Sequence, residues 1–197
     1  MLEKFSDNSR TVIARASDEA RRLGNDQIGT EHVLLALLDP AAGEVGQFLA
    51  ACNVTADGVR AQLAGHVLGG SPAGELTFSA AARALLERSL AEARRYGAKQ
   101  IRTEHLLLGL VGDDSCGAAQ IITSAAGLDP EALRMRIRRV IRNRYLAERA
   151  RAAQIAAGYI AVKLDADQRE RCQAAASAAG LSIEEWIKQV ALAAASS

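Results

Sequence analysis

Three groups of residues in this chain have the types and spacing to do chemistry. Two identical triplets, Thr30-Glu31-His32 and Thr103-Glu104-His105, each set a carboxylate beside an imidazole. Eight arginines (Arg134, Arg136, Arg138, Arg139, Arg142, Arg144, Arg149 and Arg151) crowd residues 133–151 against Glu148 alone, a local charge of +7. A short stretch, Tyr159-Ile160-Ala161-Val162-Lys163-Leu164, alternates apolar residues with others. The triplets do not extend to H-E-x-x-H, the spacing that puts two zinc-binding imidazoles on one helix face, and His66 stands alone. No G-x-S-x-G nucleophile elbow is present. The four lysines, Lys4, Lys99, Lys163 and Lys188, are not in a G-x-x-x-x-G-K-[ST] phosphate loop. Cys52, Cys116 and Cys172 are odd in number and far apart, which indicates neither a zinc site nor a disulfide framework. They suit small helix residues buried in a reducing cytoplasm. The expectation is a protein without catalytic residues, metal or cofactor.

The composition narrows the class further. The 197 residues are 49% hydrophobic, 24% charged and only 4% aromatic. That is enough apolar material for a core, and the wealth of alanine and leucine points to an all-α fold. The formal charge of +1 is a cancellation. Residues 1–132 hold 12 basic and 17 acidic side chains, a net −5, and residues 152–197 hold 4 and 5, a net −1. Apolar runs such as Val33–Leu38 fall well short of the roughly 20 residues that cross a bilayer. The opening MLEKFSDNSR has no apolar signal core, so a cytoplasmic protein without membrane contact is expected.

An internal duplication must position the triplets. A shift of 73 residues lays Phe5–Leu37 on Phe78–Leu110 without a gap, matching EARRLGNDQIGTEHVLLALL to EARRYGAKQIRTEHLLLGLV. Each copy reads as four helices. Ser6 and Ser79 cap the first, and Gly24 and Gly97 end it. Thr30 and Thr103 are read as the caps of the second, with Glu31 and Glu104 in its first turn. Third helices carry Val45, Phe48 and Leu49 in one copy and Ile121 and Ile122 in the other, and Asn53 and Gly127 break the chain after them. Fourth helices start at Thr55 and at Asp129-Pro130. Residues 69–74, GGSPAG, link the copies.

The doubled pattern, with F-S at each start, E-A-R-R-x-G and I-x-T-E-H-x-L-L-x-L, resembles the N-terminal domain of the Clp (Hsp100) unfoldases, the ClpC branch most, over residues 1–142. The resemblance implies an eight-helix pseudo-twofold module with copies at 1–68 and 75–142. It implies docking of adaptors and substrate proteins, including chains tagged by arginine phosphorylation, and in actinobacteria binding of cyclic peptide antibiotics. It further implies that Glu31 and Glu104, beside Thr30 and Thr103, receive the guanidinium of a phosphoarginine, since a carboxylate accepts two parallel guanidinium bonds. Arg102 stands where the first copy has Gly29, and either pairs with Glu104 and blocks it or meets the phosphate. Leu2, Phe5, Phe78, Arg83 and Glu87 match the surface that receives cyclic peptides. The ATPase modules that follow this domain in the unfoldases have no counterpart in the residues after it.

The C-terminal part is of another kind. Residues 143–158 read as a basic helical linker, with Arg142 and Arg144 among the candidate phosphate contacts. Residues 159–197 read as strand, helix, turn, helix: Asp165 caps one helix that ends at Gly180, and Ser182 and Glu185 form a capping box for the next. This pattern resembles the ribbon-helix-helix fold, which implies a homodimer whose paired strands enter the DNA major groove. The outward strand residues are Tyr159, Ala161 and Lys163, and Ser182 lies at a helix N-terminus suited to a phosphate. Three functions are open: sequestration of a peptide from a Clp unfoldase, ligand-relieved repression at a promoter, and adaptor or modulator activity on the Clp protease with a tail used only for dimerisation.

Overall fold

A computed structural model of the chain describes residues 2–63, 76–156 and 163–195. They fall into two compact units, Met1–Ala147 and Glu148–Ser197. The first unit holds the duplication, four helices per copy. The first copy has α1 (Asp7–Arg22), α2 (Thr30–Leu37), α3 (Glu44–Ala51) and α4 (Ala56–Leu63). The second has α5 (Ala80–Arg95), α6 (Thr103–Leu110), α7 (Gly117–Ala126) and α8 (Pro130–Ala156). The last of these runs unbroken past residues 142 and 147. The expected linker at 69–74 and His66 lie outside the described residues.

Local chemistry sets most helix ends where the sequence indicates. Ser6 accepts a hydrogen bond from the Ser9 amide and Ser79 from the Ala82 amide. Gly24 and Gly97 take φ of 71° and 66° after the first helices, a region that costs glycine nothing. The threonines do otherwise. Gly29 and Arg102 are the N-caps of α2 and α6, and Thr30 and Thr103 are the first helical residues. The expected threonine caps are therefore corrected. The cap is made from the third helical position, where the imidazole of His32 or His105 accepts the N-cap amide.

The two copies are laced together by short strands that alternation could not reveal. β1 (Gln27–Ile28) pairs in parallel with β2 (Thr77–Phe78), and Phe5 pairs likewise with Ile101. The 73-residue shift converts Ile101 into Ile28 and Phe5 into Phe78. Each copy thus lends its entry segment to the other copy's loop. The Ser6 amide donates to the Ile101 carbonyl at 3.0 Å, and the Ser79 amide to the Ile28 carbonyl at 3.0 Å, which makes the pseudo-twofold explicit in backbone bonds.

The core forms where α2 and α6 run through the middle, buried along almost their whole length. At the α5–α6 crossing, Gly109 permits an approach that a Cβ would block, 2.6 Å from the Leu85 carbonyl. The buried Ser89 hydroxyl donates to that same carbonyl. In the first copy the matching positions are Ala36 and Ala16, so the second copy loses a methyl on one helix and gains a hydroxyl on the other. Burial of this kind stabilises by about 25 cal/mol per Å² of apolar surface and dominates over the exposed ion pairs.

The second unit contains α9 (Ala166–Ala178) and α10 (Ile183–Ala195). Asp165 accepts the Gln168 amide, Gly180 has φ of 68°, and Glu185 and Ser182 form the reciprocal box the sequence indicates. Tyr159, Ala161 and residues 160 and 162 of the expected strand lie outside the described residues. Lys163 is exposed.

Candidate functional site: two carboxylates at helix starts

In both copies the extended segment ending at residue 29 or 102 turns abruptly into a helix, and the turn is fixed by the histidine. The Gly29 amide donates to His32 Nδ1 at 2.8 Å and the Arg102 amide to His105 Nδ1 at 2.9 Å. A backbone amide can only donate, so each Nδ1 is an acceptor and the proton of the neutral ring sits on Nε2. Both rings are buried, His32 at 1% and His105 at 0% exposure. Burial lowers both pKa values. For His32 the neighbouring Glu31 and Glu19 partly oppose that. For His105 the cations Arg102 and Arg144 reinforce it, to about 4.

Around this shared frame the two glutamates differ. The Glu31 carboxylate folds back over Gly29, in the space that any Cβ at that residue would fill. It accepts a bond from the Thr30 hydroxyl at 3.3 Å and its side chain is 28% exposed. In the second copy Arg102 has a Cβ in that place, and the Glu104 side chain is 5% exposed. Arg102 Nη1 lies 3.8 Å from one carboxylate oxygen and Arg144 Nη1 3.8 Å from the other. Of the two alternatives for Arg102, pairing with Glu104 is the one found. Thr103, freed of any capping role, donates to the Ala42 carbonyl at 3.2 Å and so ties α6 to the first copy.

The closure of the second site comes from α8. Arg144 also reaches Glu44 at 3.2 Å, and the Tyr145 hydroxyl lies 3.0 Å from His105 Nε2. Tyr145 stacks on Tyr96 with ring centroids 5.3 Å apart, and the Arg102 guanidinium stands 5.4 Å from the Tyr145 ring. Arg144, read from the sequence as a phosphate contact, is thus turned toward two carboxylates. Its signal and that of Tyr145 lay some 40 residues beyond the triplet, at no helical or strand period from it. In the first copy His32 Nε2 has no hydrogen-bond partner among the described residues, nor has Glu19 Oε2. Beside Glu104, Val45, Phe48, Leu107, Ile137 and Val140 line a groove of about 30 Å³, room for a water or so.

The other sequence-derived residues are dispersed. Phe5 is 2% exposed and belongs to the core, where it cannot meet a ligand without rearrangement. Phe78 is half-buried, and Arg83 and Glu87 are exposed on α5. Arg83 donates to the Phe78 carbonyl at 3.0 Å. The Leu2 side chain lies outside the described residues. In the second unit the Ser182 hydroxyl donates to the Glu185 carboxylate at 2.8 Å, so an acidic group already holds the N-terminus read as a phosphate site. Arg142 is exposed. Among the described residues no group of three His, Cys, Asp or Glu side chains is placed to hold a metal ion, and no helix is long and apolar enough to cross a membrane.

The family profile described as Clp repeat (R) N-terminal domain matches residues 4–76 and again 77–178. The chain belongs to that family. The Clp repeat fold is seen in its structural neighbours as well. The N-terminal domain of the Clp-associated chaperone ClpD from Arabidopsis thaliana superposes with a TM-score of 0.53 and 22% identity, over 72% of this chain and 97% of that one. A ClpV N-domain in complex with a VipB peptide gives 0.54 at 17% identity, over 68% and 84%. The ClpA homolog of Porphyra purpurea, an ATP-binding subunit of the ATP-dependent Clp protease, is 39% identical over 128 residues, 64% of this chain. The chain aligns with 16% of that relative's length. Both repeats of the Clp profile enclose one of the carboxylate sites, and its second match extends beyond α8 into α9.

Proposed function

We propose that this Clp repeat protein is a non-enzymatic peptide receptor, with Glu31 as the group that accepts a guanidinium of the phosphoarginine type. The observation that carries this reading is the contrast at the helix starts: Glu31 is partly open and in no ion pair with an arginine among the described residues, whereas Glu104 is engaged by two. A charge-assisted, two-pronged bond to a partly buried carboxylate is the strong form of such recognition. The peptide bound by the ClpV neighbour supports peptides as the ligand class. Phe78, Arg83 and Glu87, with Leu2, are the proposed surface for an apolar cyclic peptide of the antibiotic kind. By holding such ligands the protein sequesters them from a Clp unfoldase.

The tail is proposed to dimerise the chain. Ala176 is the buried residue of the second unit among those described, while Val190 is 47% and Leu192 61% exposed on α10. Two short helices with that little buried surface do not fold stably alone, and a second copy of the same stripe covers it. Through Tyr159, Ala161, Lys163 and the arginines of α8, the dimer is proposed to act at its own promoter as a ligand-responsive autoregulator.

Calorimetric titration of the full chain with phosphoarginine tests the first reading. Saturable binding that Glu31→Gln abolishes is expected, and equal binding by that variant would refute it. Sedimentation equilibrium reads the dimer, and a gel shift on upstream DNA with and without ligand reads the regulator. Copurification with a Clp unfoldase hexamer, without DNA retardation, would reassign the protein as an adaptor of Clp-dependent proteolysis.

A further inference from the structure

We propose that a basic cleft in the second copy binds acidic peptide segments that carry an apolar side chain. The cleft has a volume of about 220 Å³ and lies between the N-terminal turn, α5 and the loop before α6. Lys4, Arg94 and Lys99 stand around it, Leu90, Ala93 and Ile101 form its floor, and no acidic residue lines it. The three cations are exposed and Ala93 and Ile101 buried. Among the described residues none of the three cations is held in an ion pair.

The duplication supplies an internal control. Across the pseudo-twofold, Asp26 stands for Lys99, Ser17 for Leu90 and, from the exchanged entry segment, Thr77 for Lys4. The position matching Arg94 is Arg21, which donates to the Ser17 hydroxyl at 2.9 Å and lies 3.6 Å from Asp18. The matching cleft therefore reverses one charge, lacks the second, neutralises the third and puts a hydroxyl at one of three floor positions, keeping Ala20 and Ile28 at the other two. Among the described residues, the cleft with Lys99 is the one of the two that combines unneutralised cations with a floor apolar at all three positions. Three cations call for more than one negative charge on the ligand, and the floor calls for a side chain rather than a bare anion. Arg83, Glu87, Leu90 and Arg94 follow one another at helical spacing on a single face of α5, so a bound segment has a continuous track along that helix. This site is independent of guanidinium capture at Glu31.

Fluorescence anisotropy of the full chain with a dye-labelled peptide of alternating glutamate and leucine is the test. Saturable binding is expected, weaker at high salt because exposed charges are screened. Lys99→Asp, which installs the first copy's residue, should weaken it roughly tenfold, by losing one attraction and adding one repulsion. Asp26→Lys in the other copy should leave it unchanged, and so should Glu31→Gln. Binding by Lys99→Asp and Arg94→Ala equal to that of the parent would overturn the proposal. Equal affinity for a peptide with serine in place of leucine would overturn the apolar requirement. Displacement by an equal concentration of inorganic phosphate would overturn the peptide class and assign the cleft to phosphoryl groups. Melting curves matching that of the parent are expected for these exposed substitutions.

Discussion

The two carboxylate sites descend from one sequence, share a backbone turn and a histidine cap, and yet present opposite faces to a ligand. In the first copy a glycine at residue 29 leaves room for the Glu31 carboxylate to lie back over the helix start. In the second an arginine at residue 102 takes that room, and Arg144 closes on Glu104 from α8. The second copy has spent its carboxylate on internal structure. Its Tyr145 hydroxyl satisfies the imidazole proton that in the first copy has no partner among the described residues. One copy leaves its carboxylate partly open, and the other encloses it between two arginines. A duplicated fold allows such a division because either half can give up ligand contact while the exchanged strands hold both in place.

The largest test of this contrast removes the caps. His105→Ala leaves the Arg102 amide and the Tyr145 hydroxyl without their partner and opens a cavity, and should cost about 3 kcal/mol in urea unfolding. His32→Ala loses the same cap but no second bond, and should cost about 2 kcal/mol. Equal losses would show that the Tyr145 contact contributes nothing.

Acid probes the same rings. A histidine whose folded pKa lies below its unfolded value binds its proton more readily when unfolded. Stability is then fully present above about pH 6.5 and falls as the pH drops toward the folded value of about 4 at His105. The loss over that window is on the order of 3 kcal/mol for this ring. Protonation also puts a hydrogen on Nδ1 and opposes it to the Arg102 amide, so α6 should fray with it. In His105→Gln that part of the acid dependence should vanish, leaving the smaller contribution of His32.

Most of the frame was legible in the sequence, and the reasons differ by element. The duplication, the serine caps and the glycine stops are local signals and were found in place. The threonine caps were misread because threonine is a favoured N-cap type, whereas the decisive atom was a histidine nitrogen three residues on. The paired strands Gln27–Ile28 and Thr77–Phe78 are too short to show alternation. Arg144 and Tyr145 could not be tied to Glu104 and His105 by any spacing, because they approach through tertiary packing alone. Arg102 was recognised as the point of divergence, but its partner depended on where the Glu104 carboxylate could go.

Exchanging the residues that distinguish the copies tests whether that divergence governs binding. Gly29→Arg should push the Glu31 carboxylate off its seat and bring a guanidinium beside it, weakening phosphoarginine binding at least tenfold, or about 1.4 kcal/mol. The double change Arg102→Gly with Arg144→Ala should do the converse and raise the calorimetric stoichiometry from one site to two. A stoichiometry that stays at one would mean that α8, and not the arginines, keeps the second carboxylate closed.

The smallest expected effect comes from removing a single hydroxyl. Tyr145→Phe keeps the ring stacked on Tyr96 and removes only the hydroxyl that faces His105 Nε2. Both imidazoles would then carry an unpartnered buried proton, and the two copies would become alike in that respect. A loss of about 1 kcal/mol is expected, the usual net value of one hydrogen bond. In the Tyr145→Phe background the difference between His105→Ala and His32→Ala should close by the same amount. If the difference persists, it belongs to the packing of Tyr96 on His105 rather than to the bond, since the first copy has Leu23 at the position of Tyr96.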